Sequence, residues 1–132
     1  IRTGEGAGIT GVIMNQQTVD IFNPKTIRAT MGSIFRVPFV YVPELSTVLT
    51  QMHEKGIHTY AAHLKGQKYY DSFSFREPTA FLIGNEGNGL TKEISDQAGQ
   101  YLKIPMEGKV ESLNASIAAA LLMYEAHRQR NL

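Results

Sequence analysis

Two segments of this chain combine a short apolar run with a loop of glycines and polar side chains, which is a pattern typical of ligand sites. The first, residues 81–90, reads FLIGNEGNGL, and the second, residues 104–118, reads IPMEGKVESLNASIA. Each begins like a buried strand and continues into a loop. Open α/β sheets bind their ligands at the carboxyl ends of their strands. We therefore predict that the two loops form two walls of one pocket.

The first loop is suited to holding a ligand with its backbone. Three glycines within residues 84–89 allow positive φ angles and close approach of a ligand to main-chain N–H and C=O groups. Glu86 is the only charged residue of the loop. Its carboxylate could orient a ribose hydroxyl, hold a cationic part of a ligand or support a catalytic arginine; the alternative is a solvated side chain in a tight turn. The GxxxxGK[ST] spacing of a P-loop is absent.

The second loop leads into a predicted helix whose first N–H groups need partners. Ser112 or Asn114 is expected to cap this helix, and the other is then left to face the pocket. An asparagine amide offers both a donor and an acceptor, which suits a hydroxyl or a carboxylate. Met106 and Leu113 could pack on a planar ligand ring or, alternatively, in the core.

The elements that must position these loops alternate between strands and helices. Apolar runs predict strands at residues 11–14, 39–42, 57–62, 80–83 and 101–104. Helices are predicted to start at Asn23-Pro24, to span residues 44–55 and 91–99, and to run from residue 112 or 114 to about 129. Such alternation predicts an α/β fold with a mostly parallel sheet and helices on both faces. The fully apolar run at 80–83 suggests the centre of the sheet, and residues 63–76 are predicted to be a polar loop.

Composition limits the classes of protein that remain. A chain of 132 residues, 42% hydrophobic and 19% charged, is typical of one globular domain. No apolar run approaches the ~20 residues of a membrane span. The absence of cysteine excludes disulfides, thiolate zinc sites and a cysteine nucleophile, and it fits a cytoplasmic location. Because the four histidines show no metal-ligand spacing, no metal site is expected.

The charge balance does not by itself indicate a nucleic-acid-binding protein. The net charge is only +1, so a basic surface for RNA would have to be local. Taken singly, each cation is more typical of a solvated surface side chain; the candidates are Lys25, Arg28, Arg36, Lys65, Lys68, Arg128 and Arg130. Residues 6–11 match GxGxxG literally, but a strand is predicted to follow them and no acid stands at residue 31. We therefore discount a dinucleotide fingerprint.

The two segments resemble the second and third motifs of the SpoU (TrmH-type) family of RNA 2′-O-ribose methyltransferases, in the SPOUT superfamily. Residues 23–38, NPKTIRATMGSIFRVP, are also similar to that family, so the likeness covers nearly the whole chain. It implies that residues 1–132 form a catalytic domain that lacks the family's first strand and the start of its first motif. It also implies a deep C-terminal trefoil knot, in which residues 104–124 thread through the loop near residues 81–90.

The resemblance further implies a cofactor, a reaction and a set of site residues. The cofactor would be S-adenosylmethionine, with contacts from Gly84, Ile104 and Leu113, Met106 close by and Ala62 as a weaker candidate. The catalytic residues would be Arg2, Glu86 and Asn114, with Arg2 acting as a base or positioning the nucleotide. RNA contacts would come from Arg2, Arg28, Arg36 and Ser112. The methyl group would pass to a ribose 2′-hydroxyl of RNA, with rRNA favoured over tRNA. The reaction would need no metal ion.

The resemblance also implies a homodimer, and the apolar side chains Leu121, Leu122 and Tyr124 of the last helix are compatible with burial in it. Two other functions remain open at this point. One is a catalytically impaired RNA- or cofactor-binding module of the same fold. The other, less favoured, is an unknotted NAD-binding α/β oxidoreductase. Methyl transfer to an RNA transcript distinguishes the first from the enzyme, and a comparison of S-adenosylhomocysteine with NAD as ligands distinguishes the second.

Overall fold

The computed structural model describes residues 1–85 and 87–132 of the chain. The chain divides into two compact units, Ile1–Leu45 and Ser46–Leu132, and each is described by itself below. All strand pairs within the two units are parallel, as the sequence predicts.

The first unit contains two short helices, a 3₁₀ turn and a pair of parallel strands. In chain order these are α1 (Arg2–Ala7), β1 (Val12–Met14), α2 (Pro24–Ala29), the 3₁₀ turn Ser33–Phe35 and β2 (Phe39–Tyr41). Val12 pairs with Phe39, and Met14 with Tyr41. A small core of Met14, Ile21 and Ile34 forms beside this pair of strands.

Local signals account for the ends of α2. The Asn23 side chain accepts a hydrogen bond of 2.9 Å from the backbone N–H of Lys25, and Pro24 occupies the first turn. Pro tolerates that position because its missing N–H would have no partner within the helix. The predicted start of this helix is therefore confirmed.

The second unit packs three helices with a three-stranded sheet. Its elements are α3 (Leu45–Glu54), β3 (His58–Ala62), the 3₁₀ turn Tyr70–Ser72, β4 (Thr79–Leu82), α4 (Lys92–Gln97), β5 (Gln100–Leu102) and α5 (Ala115–Arg130). Thr91 caps α4 through a hydrogen bond of 3.2 Å from the Ile94 N–H, and Gly56 follows α3 with a φ of 75°. These stop and start signals lie where the sequence predicts them.

The strand order of this sheet corrects one prediction. The order is β4-β3-β5, so β3 and not β4 occupies the centre. The side chains of Thr59, Tyr60 and Ala61 in β3 are all buried, whereas those of β4 are half-buried throughout. An uninterrupted apolar run shows that a strand is covered, but it does not show how many neighbours the strand has.

The segment 63–76 is also more than the polar loop that the sequence suggests. Phe75 is fully buried, and its ring contacts those of Tyr60 and Phe81 edge-to-face, each at a centroid distance of 5.0 Å. Such edge-to-face pairs stabilise beyond the area they bury. The polar neighbours of Phe75 in sequence conceal this role, because an isolated apolar residue produces no periodic pattern.

Helix α5 covers this core with a face that differs from the expected one. Leu122 is fully buried with Phe75 and Leu102, and Ala126 and Gln129 continue the same face. The prediction that Leu122 is free for a dimer interface is therefore wrong. The helix carries apolar residues on two sides, and sequence periodicity does not reveal which side packs inward.

Candidate active site

Three of the predicted cofactor residues lie at one edge of the second unit's sheet. Ala62 is the last residue of β3, Gly84 follows β4 by two residues, and Ile104 follows β5 by two. Because the three strands are parallel and Ala61 and Ala62 pair with Leu82 and Leu102, their carboxyl ends share this edge. Neighbouring strands are ~4.8 Å apart, so the sheet brings these three positions together. Its carboxyl edge is where α/β folds bind ligands.

The loop after β4 is closed tightly upon itself. The Gly89 N–H donates to the Asn85 carbonyl at 2.6 Å, and the Asn85 side chain accepts from the Gly87 N–H at 2.7 Å. A Cβ on Gly84 would lie 2.3 Å from the Leu90 nitrogen, so only glycine fits there. The loop's own backbone therefore requires glycine at this position, and a positive φ of 65° occurs at Gly89; the close approach of a ligand remains a prediction. Glu86 lies outside the described residues, and its catalytic role remains a prediction.

The segment between β5 and α5 supplies apolar surface beside this edge. Ile104 is half-buried against the core around Tyr60 and Leu102, and Met106 is also half-buried. The chain turns at Gly108, with a φ of 74°, and Leu113 remains 36% exposed. Partly exposed aliphatic side chains are the kind of surface that accepts a planar, largely apolar ring. These side chains therefore fit an adenine-containing cofactor.

Asn114 is the residue that caps α5. Its Oδ1 accepts hydrogen bonds from the backbone N–H groups of Ser116 at 2.9 Å and Ile117 at 3.3 Å, and from the Ser116 hydroxyl at 2.5 Å. This resolves the alternative between Ser112 and Asn114, and Ser112 lies exposed two residues before the cap. The side-chain oxygen of Asn114 thus serves the cap, and its role in the site remains a prediction.

Arg2 begins α1 in the first unit, and its side chain is exposed. A bidentate ion pair one turn further along anchors this helix. Arg36 Nε and Nη2 donate to the two carboxylate oxygens of Glu5 at 2.6 and 2.8 Å, and the Ser33 hydroxyl adds a bond of 3.1 Å. The hydrogen bond from Arg36 is the main cause that lowers the pKa of Glu5, and the same bond raises the pKa of Arg36. Bidentate arginine–carboxylate pairs fix orientation as well as charge.

The predicted RNA-contacting arginines differ in how free their guanidinium groups are. Arg28 is exposed in the last turn of α2. Arg36 is also exposed, but two of its nitrogens are bound to Glu5, so it serves first to hold α1. Sequence spacing does not indicate this pairing, because the two residues are 31 positions apart.

Two kinds of site are not found in the described part of the chain. Residues 1–85 and 87–132 contain no group of three or more His, Asp or Glu side chains that could hold a metal ion. In the same residues, no helix is long and apolar enough to cross a membrane.

Comparison with known proteins identifies the family. Residues 1–124 match the family model described as the SpoU rRNA Methylase family. The chain belongs to this family. A member in Staphylococcus haemolyticus, assigned to the TrmH family of tRNA/rRNA methyltransferases, is 34% identical over 131 residues, which cover 99% of this chain and 53% of that protein. The chain thus spans about half the length of the curated relatives it matches.

Solved structures of SpoU-type proteins share the fold. The SpoU methyltransferase AviRb from Streptomyces viridochromogenes, crystallised with S-adenosylmethionine, superposes with a TM-score of 0.90 at 33% identity, covering 98% of this chain and 53% of that one. A structure described as an RNA 2′-O ribose methyltransferase gives a TM-score of 0.86 at 34% identity, covering 99% and 50%. These matches confirm the predicted family and α/β fold, and they support S-adenosylmethionine as the cofactor.

Proposed function

We propose that this SpoU-family chain is the catalytic domain of an enzyme that methylates a ribose 2′-hydroxyl of RNA, with rRNA favoured over tRNA. The observation that carries the proposal is the common sheet edge of Ala62, Gly84 and Ile104, in a chain whose loops match the family's motifs. The family description names rRNA. One structural relative is described as acting on the ribose 2′-oxygen. Both support the finer assignment.

The residues of the second unit would hold the cofactor. When bound, S-adenosylmethionine would supply the methyl group: its methyl–sulfur bond would break as the ribose oxygen forms the new C–O bond, and the hydroxyl proton would pass to water. Ile104, Met106 and Leu113 would pack against the adenine ring, and main-chain groups around Gly84 would hydrogen-bond its edge. The side chain of Asn114 would help to position a hydroxyl or a carboxylate in the site.

Arg2 would act on the RNA. Its guanidinium is protonated under ordinary conditions, so positioning the nucleotide and stabilising negative charge are physically easier roles for it than removing a proton. Correct alignment of two bound reactants can supply much of the rate of such a step. A catalytic role for Glu86 is part of the same proposal.

Several further features belong to this proposal. Residues 1–132 would form the catalytic domain, with residues 104–124 threaded as a trefoil knot, in a cytoplasmic homodimer. The exposed side of α5 supports the dimer, because a groove of about 380 Å³ there is lined by Tyr70, Ile117, Leu121, Tyr124 and two neighbours. An uncovered apolar groove of this kind is typical of an interaction surface.

Calorimetric titration with S-adenosylhomocysteine tests the cofactor part. We expect micromolar binding by the parent chain, weaker binding by Asn114→Ala, and no heat with NAD. Incubation with a ribosomal RNA transcript and S-adenosylmethionine labelled in its methyl group tests the reaction. A 2′-O-methyl group blocks alkaline cleavage at that nucleotide, so a label in an alkali-resistant dinucleotide supports the ribose assignment. A label recovered only on single bases would contradict it.

A further inference from the structure

A basic segment lies along the same sheet edge. It contains Lys65 and Lys68, two of the candidate cations of the sequence, and none of the residues assigned to the catalytic or cofactor site. Residues 63–70 leave β3 and run beside the residues that follow β5. The His63 N–H donates to the Leu102 carbonyl at 3.0 Å, the Lys103 N–H to the Lys68 carbonyl at 3.0 Å, and the Tyr70 N–H to the Lys103 carbonyl at 2.9 Å. These bonds hold the segment in a defined position against the end of β5.

The approach of the two segments is close enough to require a glycine. A Cβ on Gly66 would lie 2.9 Å from the carbonyl carbon of Leu102 and 3.0 Å from the His63 oxygen. A larger residue would push the segment away from β5. The side chains around this point are therefore presented by a fixed backbone.

Those side chains combine an exposed aromatic ring with lysines. The Tyr69 ring is 48% exposed, and the Lys103 Nζ lies 6.0 Å from its centroid. Lys65 and Lys68 are exposed on the same segment. Among the residues that the structure describes, none of these three lysines forms an ion pair with a carboxylate. We name this group, Lys65, Lys68, Tyr69 and Lys103, the Tyr69 patch.

We propose that the Tyr69 patch is an RNA contact, in which Tyr69 stacks on an unpaired base and the lysines bind the flanking phosphates. Aromatic rings beside cations are the usual means of holding unpaired nucleotides. Ammonium groups suit phosphates, and an exposed ring suits a base. The proposal rests on the proposed function, since RNA is the substrate there.

The position of the patch explains why a nucleotide bound there would matter for the reaction. Ala62 directly precedes His63, and Ile104 directly follows Lys103. Consecutive Cα atoms are ~3.8 Å apart, so Lys103 adjoins one proposed cofactor contact, Ile104, and Lys65, three residues after Ala62, lies within about 11 Å of another. We infer that the patch binds a nucleotide that flanks the one to be methylated, and so contributes to the choice of site.

The lysines of the patch also make up for Arg36, a cation that is already bound to a carboxylate within the protein. Arg36 is bound to Glu5, and the net charge of the chain is only +1. A local group of lysines, with no carboxylate partner among the described residues, is then what a weakly charged protein needs to attract RNA.

Fluorescence anisotropy with two labelled RNAs tests the proposal. One is a hairpin with an eight-nucleotide loop, and the other is the fully paired duplex of its stem. The proteins are the parent, Tyr69→Ala, Tyr69→Phe, Lys103→Met and, as a matched control, Lys55→Ala. Lys55 is exposed just after α3 and away from the carboxyl edge, because it precedes β3.

Stacking predicts that Tyr69→Ala weakens hairpin binding about 5- to 150-fold while Tyr69→Phe stays within about 2-fold of the parent. Lys103→Met should weaken binding and reduce the slope of log Kd against log salt by about 0.7, the value for one phosphate contact on a single strand. Lys55→Ala should change neither. Tyr69→Ala should affect the duplex much less than the hairpin.

Thermal melting and S-adenosylhomocysteine binding separate a folding defect from a lost contact, and both should be unchanged in the Tyr69 variants. Hairpin binding by Tyr69→Ala and Lys103→Met equal to that of the parent overturns the proposal. An equal loss on hairpin and duplex overturns the stacking. If the parent binds S-adenosylhomocysteine but neither RNA, only the proposal for the Tyr69 patch is contradicted. If the parent binds no cofactor and no RNA, the proposed function is contradicted as well.

Discussion

Replacement of Gln129 by alanine is expected to be among the most destabilising single changes in the second unit. The buried amide of Gln129 connects the end of α5 to a segment more than 50 residues earlier in the chain. Its Oε1 accepts from the Phe75 N–H at 2.6 Å, and its Nε2 donates to the Phe73 carbonyl and to Glu125 Oε1, both at 2.9 Å. Alanine removes all three bonds at once.

The magnitude follows from the groups that the substitution leaves behind. Phe75 is fully buried, so its N–H would lose its partner in the interior at a cost of about 1–3 kcal/mol. The Phe73 carbonyl would lose a further bond worth about 1 kcal/mol. We expect a total of about 2–4 kcal/mol, which is a large part of the 5–15 kcal/mol that holds a typical domain folded.

Urea unfolding followed by circular dichroism measures this loss. Gln51→Ala is the matched control, because Gln51 is exposed in the middle of α3 and the same atoms are removed; it should change the unfolding free energy by less than about 0.5 kcal/mol. Gln129→Glu provides a second test. Its carboxylate would face Glu125 and the Phe73 carbonyl, so this variant should be less destabilised at pH 4, where it is protonated, than at pH 7.

A loss for Gln129→Ala no greater than that for Gln51→Ala would refute the reasoning. It would mean that the Phe75 N–H finds another partner when the amide is absent. The long-range connection would then contribute little to stability.

Three further predictions concern the site and the helix that carries Arg2. Asn114→Ala should lower the unfolding free energy by about 1 kcal/mol through loss of the cap. Asn114→Asp should keep the cap and yet bind S-adenosylhomocysteine more weakly in calorimetry. Equal binding by the Asp variant would show that the amide takes no part in the site. Gly84→Ala should weaken that binding more than 10-fold, because its Cβ would lie 2.3 Å from the loop backbone, while Gly87→Ala, 3.3 Å from a side-chain oxygen, should bind nearly normally. Glu5→Gln should be less stable than the parent at neutral pH. Arg36 holds the folded pKa of Glu5 below its ordinary 4.5, so this difference should shrink in urea titrations as the pH falls below that value, and a pH-independent difference would contradict the ion pair.

The sequence was enough to predict the family, because that assignment depends on short strings of residues and their order. Residues 81–90 and 104–118 resembled the SpoU motifs, and the match over residues 1–124 confirms the family. The roles proposed for Arg2 and Glu86 remain predictions, as does the trefoil knot.

Local chemistry determined the turns and helix ends. Asn23, Thr91 and Asn114 cap α2, α4 and α5 through N–H groups two or three residues away. Gly84 allows the closed loop after β4. The partners in the capping contacts are near neighbours in sequence, so residue type and spacing predicted the starts of α2 and α4 and reduced the cap of α5 to Ser112 or Asn114.

Only the tertiary structure decided which faces and partners the elements take. It placed β3 and not β4 at the centre of the sheet, and it buried Leu122 in the core. It paired Arg36 with Glu5 across 31 residues, and it brought Lys103 to the ring of Tyr69. Each of these depends on groups far apart in the chain. A side chain's environment is set by whichever distant surface packs against it, and the sequence around that side chain carries no record of the partner.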